Sequence, residues 1–294
     1  MAAPSAVLPA PAPETVRLRD EAFDLANPTA YYLYALVAPG RLRVAVLDAA
    51  RQKVVALDDE PFAGPASLPA LAATHELLGR PGWARVRVGL GTRAFTLLPA
   101  PLFRAGDEAT FLAPHHALGP TEVALACPLP QAAPATDVVA LFAADAGLDH
   151  WLHHTFGPAA RLLPQPAALL AGWLHQRGPA VPVRQLYLSL ADQELTAAVL
   201  GARLEFCNVF PVSTPEDVVY FTILVMQELG LSPDQDFVTI WGELTGDSAV
   251  FGLLSTYVRN LRLGARPFGL RYTYRLNEVP EHRYFDLFSL ALAD

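Results

Sequence analysis

The feature that most constrains the fold of this chain is a run of three short strands that occurs in both halves of the sequence. In the second half, apolar or alternating runs at 186–190, 195–200 and 204–211 are separated by the turns Asp192-Gln193 and Gly201-Ala202. In the first half, similar runs lie at 31–37, 42–47 and 54–57, and Pro39-Gly40 marks the first turn. Three consecutive strands joined by tight turns predict an antiparallel meander at the start of each half.

A helix follows the second meander and begins at Thr214. Threonine at the N-cap, Pro215 at the first helical position, and Glu216 and Asp217 in the first turn are all favoured at a helix N-terminus. The helical pattern runs to residue 229, and its apolar side chains surround nearly the whole helix. We therefore expect a central, buried helix. An apolar strand at 237–241 follows it and is typical of a buried parallel strand.

The rest of the sequence predicts the same order of strands and helices in both halves. We expect further strands at 85–88, 95–98, 122–126, 138–143, 161–163, 261–263 and 272–276, and helices at 68–78, 148–156, 166–176, 248–258 and 281–292, with a broken one at 105–118. The repeated order, βββαβαβ with insertions in the first half, predicts an α/β protein. We assign residues 1–28 to a flexible Pro/Ala-rich tail, 29–180 to a first lobe and 181–294 to a second, with a change of direction at 178–182. A ligand is expected in the cleft between the lobes.

The chain contains a single lysine, Lys53, so its positive charge is almost entirely arginine. A P-loop lysine, a pyridoxal Schiff base, a kinase-type lysine or a Ser-x-x-Lys nucleophile would each have to be Lys53. The surrounding residues match none of those motifs. These mechanisms are therefore excluded.

The net charge and the N-terminal sequence argue against further classes of protein, namely nucleic-acid-binding, secreted and membrane-spanning proteins. The net charge of -8 argues against a protein that binds nucleic acid by neutralising phosphates. Residues 1–13 are alanine- and proline-rich without the charged and apolar regions of a signal peptide, and the longest apolar-rich run is about half of the ~18 residues that a membrane span needs. We expect a cytoplasmic protein in which Cys127 and Cys207 are reduced.

Four segments of the sequence resemble a known group of proteins. They are Phe206-Cys207-Asn208-Val209-Phe210, Thr214-Pro215-Glu216-Asp217-Val218-Val219-Tyr220, Thr239-Ile240-Trp241-Gly242 and His282-Arg283-Tyr284-Phe285. With the order of elements, they resemble the actin-like ATPase superfamily and, more closely, a bacterial family of unknown function numbered 3822. The resemblance covers residue 29 to the C-terminus and implies a duplicated RNase H-like (actin-like ATPase) fold.

The resemblance also implies where a nucleotide would bind. Active superfamily members carry an Asp-x-Gly turn after the first strand of each half, where glycine lets the backbone approach phosphate and aspartate holds Mg²⁺ or positions water. In the second half this position reads Ser189-Leu190-Ala191, with Asp192 next. In the first half the strand reads Tyr34-Ala35-Leu36, and no acid follows it until Asp48. The Gly-Gly turn under adenosine reads Gly242-Glu243. These departures indicate a degenerate nucleotide site.

Other residues could carry chemistry but have plainer explanations. His150 and His154 would share a helix face as a zinc pair does, but no glutamate lies between them, and we favour an exposed polar face beside buried Trp151 and Leu152. His115-His116 is expected on the surface. Glu216 and Asp217 could serve a cleft or simply cap their helix. Asn208 could contact a ligand or be a hydrogen-bonded strand residue.

We therefore expect a non-catalytic actin-like protein, a scaffold or interaction module, with no catalytic residue, no bound metal and no cofactor. A protein partner or self-association is expected, and neither nucleic acid nor a membrane span. The alternative is a divergent Mg-ATP-binding protein or ATPase that uses Asp192, Asp48 or Glu243 in place of the usual acids. An unrelated activity, including a histidine metal site, is a third possibility.

Overall fold

The computed structural model describes residue 8 and residues 15–64, 67–129, 137–177 and 183–293. The expected change of direction at 178–182 and most of the expected N-terminal tail lie outside these residues. The strands are β1 (Val16–Arg19), β2 (Tyr31–Ala38), β3 (Arg41–Asp48), β4 (Lys53–Pro61), β5 (Arg85–Leu90), β6 (Phe95–Pro99), β7 (Glu122–Pro128), β8 (Val138–Asp145), β9 (Ala160–Pro164), β10 (Gln185–Ala191), β11 (Glu194–Leu200), β12 (Leu204–Pro211), β13 (Phe237–Gly242), β14 (Asn260–Leu263) and β15 (Arg271–Tyr272). The α-helices are α1 (Leu68–Ala72), α2 (Glu108–Leu112), α3 (Ala146–Phe156), α4 (Gln165–Arg177), α5 (Pro215–Glu228), α6 (Ala249–Tyr257) and α7 (Phe285–Ser289).

The chain divides into two compact units. We call residues 13–176, 267–279 and 286–294 the first-half unit, and residues 1–12, 177–266 and 280–285 the second-half unit. These boundaries depart from the linear division at residue 180, because the last part of the chain contributes to both units. Strand β1 also lies within the range assigned to a flexible tail, so that tail does not extend over residues 16–19.

The larger sheet of the first-half unit has the order β1-β4-β3-β2-β5-β9, and β15 pairs with β4. Strands β2, β3 and β4 form the predicted antiparallel meander, whereas β5 and β9 run parallel to β2. A smaller sheet, β6-β8-β7, is inserted between β5 and β9. Within the meander strands nearly every residue is buried, which requires cover on both faces.

The sheet of the second-half unit has the order β12-β11-β10-β13-β14. Its meander is again antiparallel, and β13 and β14 again run parallel to the neighbouring strands. The order third, second, first, fourth, fifth strand is therefore the same in both units once the inserted sheet and the additional strands β1 and β15 are set aside. This duplication confirms the expected fold class. Apolar side chains from β10, β11, β13, α5 and α6 form one core cluster in this unit.

Several expected elements differ from the structure. The helix expected at 281–292 is the short α7 followed by a 3-10 turn, and the broken helix expected at 105–118 is limited to α2. The helix expected at 68–78 ends at Ala72, because Nδ1 of His75 accepts hydrogen bonds from the N–H groups of Leu77 and Leu78 and holds a turn there. The strand expected at 272–276 is the two-residue β15 followed by a 3-10 turn. Helix α5 is not buried all round, since the Tyr220 side chain is 62% exposed.

Candidate functional site

The turn between β10 and β11 follows Ser189-Leu190-Ala191, the segment where the sequence resemblance would place an Asp-x-Gly turn. Ala191 pairs with Glu194, so only Asp192 and Gln193 remain to close the hairpin. Both have positive φ angles, 51° and 62°, the left-handed conformation that a tight two-residue hairpin needs. Aspartate tolerates this conformation better than most residues other than glycine. Asp192 and Gln193 therefore form the whole turn of the hairpin.

Gly242 ends β13 beside this hairpin, because β10 and β13 are parallel neighbours whose carboxyl ends meet. Its φ angle is 115°, and an added Cβ would lie 1.9 Å from the carbonyl oxygen of Leu190. The N–H of Gly242 donates to the carbonyl oxygen of His282 at 3.0 Å, and the N–H of Glu243 donates to that of Leu190 at 2.9 Å. Only glycine fits here, and both donors are engaged within the protein.

Three of the predicted site positions, Ala191, Asp192 and Glu243, line one cavity of about 250 Å³, which we call the hairpin cavity. The other lining residues are Leu8, Leu190, Gln193, Pro215, Leu244, Ser248, Ala249 and Val250. Among these described lining residues there are two acids and no Lys, Arg or His. Gly242 holds the adjacent turn, whereas Ser189 is 3% exposed inside β10 and does not line the cavity.

Sequence reasoning missed Leu8 as a residue of this cavity. Its side chain is 6% exposed and packs in the core of the second-half unit. Its N–H donates to the carbonyl oxygen of Ser213, just before α5, at 2.8 Å. A lone leucine in an Ala/Pro-rich stretch carries no local pattern that would have placed it there.

Asp217, at the start of α5, caps that helix together with Thr214. Oγ1 of Thr214 accepts from the N–H of Asp217 at 3.2 Å, and Oδ2 of Asp217 accepts from the N–H groups of Ser213 and Thr214 at 2.8 and 2.9 Å. These backbone hydrogen bonds lower the pKa of Asp217. Glu216 lines a different groove, on the α5–α6 face. Neither acid lines the hairpin cavity.

The remaining polar candidates are dispersed. Asn208 is exposed on β12, and its Oδ1 accepts from the N–H of Val209 at 2.9 Å. Oδ1 of Asp48 accepts from the N–H groups of Ala50 and Arg51 at 3.0 and 2.9 Å, in the turn after β3. Each is accounted for by local hydrogen bonds.

Lys53, the single lysine, lies in the first-half unit and pairs with Asp20. The distance between Nζ and Oδ2 is 2.6 Å. This hydrogen bond lowers the pKa of Asp20 to about 2. The lysine therefore has a structural partner.

Two segments of the resemblance form one packed cluster around Gly242. The Trp241 ring lies 4.7 Å from that of Phe285, and Nε1 of Trp241 donates to the carbonyl oxygen of Ala265 at 2.9 Å. The His282 ring is hydrogen-bonded to the carbonyl oxygen of Leu244. These residues fix the turn that carries Glu243.

The histidines and cysteines of the described residues do not come together in a metal-binding or catalytic site. The rings of His150 and His154 stack with centroids 6.1 Å apart, and no group of three or more His, Cys, Asp or Glu within the described ranges could hold a metal ion. Of the loop pair, Nε2 of His116 lies 2.8 Å from a carboxylate oxygen of Glu122. Burial raises the pKa of Cys127 to about 11 and that of Cys207 to about 12, so both are poor nucleophiles.

Two other cavities lie away from the hairpin. One, of about 630 Å³, is in the first-half unit between β7 and β9 and includes Arg87 and Arg161. The other, of about 350 Å³, is an open apolar groove on α5 and α6 that includes Tyr220 and Tyr257. Across the part of the chain that the structure describes, no helix combines the length and the apolar composition needed to cross a bilayer.

Comparison with solved structures defines the class of fold. A Bacteroides thetaiotaomicron protein with an actin-like ATPase fold and unknown function is similar to this chain at a TM-score of 0.76 and 16% identity, covering 92% of this chain and 99% of its own. PilM in the PilM-PilN type IV pilus biogenesis complex is similar at a TM-score of 0.58 and 16% identity, covering 90% and 98%. The chain has the actin-like ATPase fold.

The family model named DUF3822, protein of unknown function, matches residues 20–261. The chain belongs to this family, as the resemblance of its motifs implied. No curated protein matches its sequence significantly.

Proposed function

We propose that this protein is a non-catalytic actin-like scaffold or interaction module whose nucleotide site is degenerate. The observation that carries the proposal is the make-up of the hairpin cavity. At the strand ends where the superfamily binds phosphate, Asp192 and Glu243 line an otherwise mostly apolar cavity, together with Leu8. None of its described lining residues is cationic, so the lining offers a polyphosphate no arginine, lysine or histidine side chain to pair with.

The size of the hairpin cavity and the hydrogen bonds of the adjacent backbone support the same proposal. The cavity volume of about 250 Å³ lies below the roughly 300–1,000 Å³ of pockets that bury drug-sized ligands. The N–H of Glu243 already donates to Leu190, and the N–H of Gly242 to His282. A phosphate would have to displace these hydrogen bonds to use either donor.

A protein partner is part of the proposal. The PilM relative is in a complex with PilN, and we extend from it the expectation that this chain also binds a protein, or a second copy of itself, in the cytoplasm. Affinity capture of the tagged chain from its native cell extract should recover a stoichiometric partner, and the purified chain should show no ATPase activity. Recovery of nothing specific, together with Mg²⁺-dependent ATP turnover, would overturn the proposal.

The alternative is a divergent Mg-ATP-binding protein, and one observation favours it. Asp192 and Glu243 line the same cavity and could together hold Mg²⁺ through their oxygens. Thermal melting separates the two functions, since a ligand at 100 times its dissociation constant adds about 2.7 kcal/mol of stability. The alternative predicts a Mg-ATP shift that Asp192→Asn and Glu243→Gln remove and that Asp247→Asn, an exposed acid nearby, leaves intact. No shift at millimolar nucleotide rejects it.

A further inference from the structure

The larger cavity of the first-half unit lies between the end strands of two sheets. Among the strands that the structure describes, β9 ends the larger sheet and β7 ends the smaller one. The volume of the cavity is about 630 Å³, within the roughly 300–1,000 Å³ of pockets that bury small organic ligands. We call it the arginine cavity, because Arg87 and Arg161 are both part of its lining.

The two arginines are neighbours on one face of the larger sheet. Strands β5 and β9 run parallel, and Arg87 is the register partner of Arg161, so their Cα atoms are about 5 Å apart and their side chains leave the sheet on the same side. Both guanidinium groups are charged at neutral pH. Because like charges opposite each other across two strands repel, an anion that contacts both arginines would relieve an unfavourable arrangement.

The acid in the lining is engaged elsewhere. Oδ1 of Asp149 lies 3.3 Å from Nδ1 of His153 one turn later in α3, and its ion pair is with this histidine and not with an arginine. The arginine charges extend to the wall formed by β7. Burial raises the pKa of the Cys127 thiol to about 11, and the charges of Arg161 and Arg87 act against that rise. The lining thus has two arginines against one carboxylate.

The rest of the lining is mainly apolar. Leu125 lies on β7, which is only partly buried along its length, and Leu129 follows the end of that strand. Leu163 lies two residues after Arg161 on β9, and therefore on the same face of the sheet. A ligand held by the arginines would meet these leucines with the remainder of its surface. The cavity therefore combines a cationic end with an apolar wall.

We propose that the arginine cavity binds a small organic anion, whose carboxylate or phosphate group pairs with Arg87 and Arg161 and whose apolar part packs against Leu125 and Leu163. Guanidinium groups bind both kinds of oxygen acid through paired, charge-assisted hydrogen bonds. Burial of an aliphatic part favours such a ligand over a bare inorganic ion. Every lining residue belongs to the first-half unit, so the proposal does not rest on the scaffold function or on the nucleotide site.

Isothermal titration into the full-length chain tests the ligand class with four probes: octanoate, octyl phosphate, 1-octanol and inorganic phosphate. We expect saturable binding of octanoate or octyl phosphate with a dissociation constant below about 1 mM. The tighter of these two identifies the preferred acid group. 1-Octanol and inorganic phosphate should each bind at least about tenfold more weakly, because each lacks one half of the recognised ligand. Equal binding of either one, or no saturable binding of octanoate and octyl phosphate, would overturn the proposal.

The role of the arginines is tested with Arg161→Gln. This residue is exposed on the end strand, so the variant should keep its fold, which its melting temperature verifies. Binding of the tighter anion should weaken at least about tenfold, because one of two guanidinium groups is lost. Arg80→Gln, at an exposed arginine outside the lining, is the matched control and should bind like the unaltered chain. An affinity that is the same in both variants contradicts the proposed site.

Protection of Cys127 locates the bound anion in a chain whose arginines are unaltered. The thiol lines the cavity and is partly buried. In a Cys207→Ala chain, saturating octanoate or octyl phosphate should slow alkylation of Cys127 by iodoacetamide at alkaline pH at least about threefold. 1-Octanol at the same concentration should protect the thiol less. Saturable binding of the anion without protection of Cys127 would place the ligand elsewhere and refute the assignment.

Discussion

The backbone N–H of Gly242 donates to the carbonyl oxygen of His282 across 40 positions of sequence, at 3.0 Å. The His282 ring in turn is hydrogen-bonded to the carbonyl oxygen of Leu244. The turn after β13 is therefore fastened on both sides by one residue of the C-terminal region. Two motifs that lie far apart in the sequence thus fix the backbone of a single turn.

Replacing Gly242 by alanine should destabilise the protein by about 2–4 kcal/mol, because alanine must adopt a positive φ angle with its Cβ against the Leu190 carbonyl. Urea unfolding measures this change. Gly252→Ala is the matched control, since Gly252 lies in α6 with open space around its Cβ position. It should be neutral or stabilising by up to about 1 kcal/mol. Similar losses for both variants would show that the Gly242 turn is not constrained as described.

The stability of the protein should fall as the pH is lowered below the usual pKa of histidine, because His75 is protonated more readily in the unfolded chain. Desolvation lowers the pKa of this side chain, which is 2% exposed and faces Asp58 and Glu60. A lowered folded-state pKa means that the unfolded chain binds the proton more tightly. The contribution of His75 to the free energy of unfolding is therefore complete above about pH 7 and is lost progressively below about pH 6.5.

Protonation of His75 would also add a proton to Nδ1, which accepts the N–H groups of Leu77 and Leu78. His75→Asn should flatten the dependence of the unfolding free energy on pH between about 7 and 5. His154→Asn, at an exposed histidine of α3, should leave that dependence unchanged. An unaltered slope in His75→Asn would contradict the account.

The pair of Lys53 and Asp20 should protect the first-half unit against acid. The folded-state pKa of Asp20 is lowered from 3.8 to about 2, so its contribution is complete above the unfolded pKa and is lost as the pH falls from there towards 2. Lys53→Met should return the pKa of Asp20 towards its usual value in an NMR titration and cost about 1 kcal/mol at neutral pH. Lys53→Arg should retain most of the shift. A low Asp20 pKa in Lys53→Met would assign the shift to another cause.

Much of the fold follows from local patterns. The two meanders were predictable because alternating runs and turn residues such as Pro39-Gly40 are contiguous in the sequence. The parallel placement of β10 and β13 then brings Ala191, Asp192 and Glu243 to one cavity within the second-half unit.

Two of the wrong expectations depend on contacts between residues that are distant in sequence, and the third depends on a local side-chain hydrogen bond that periodicity does not show. Leu8 reaches its cavity from about 180 residues away, without a pattern of its own. The side chain of His75 competes for backbone donors and ends α1 early. Helix α5 is apolar all round, yet it leaves Tyr220 exposed, since burial depends on which neighbours pack against each face. Periodicity alone could not show this.

The central claim, that the nucleotide site is degenerate, is tested most directly by isothermal titration of Mg-ATP into the full-length protein. We predict no saturable heat of binding at nucleotide concentrations up to about 1 mM, the weak-binding limit of about -4.1 kcal/mol. A saturable signal in the micromolar range that Asp192→Asn and Glu243→Gln abolish would contradict the claim and establish a working nucleotide site.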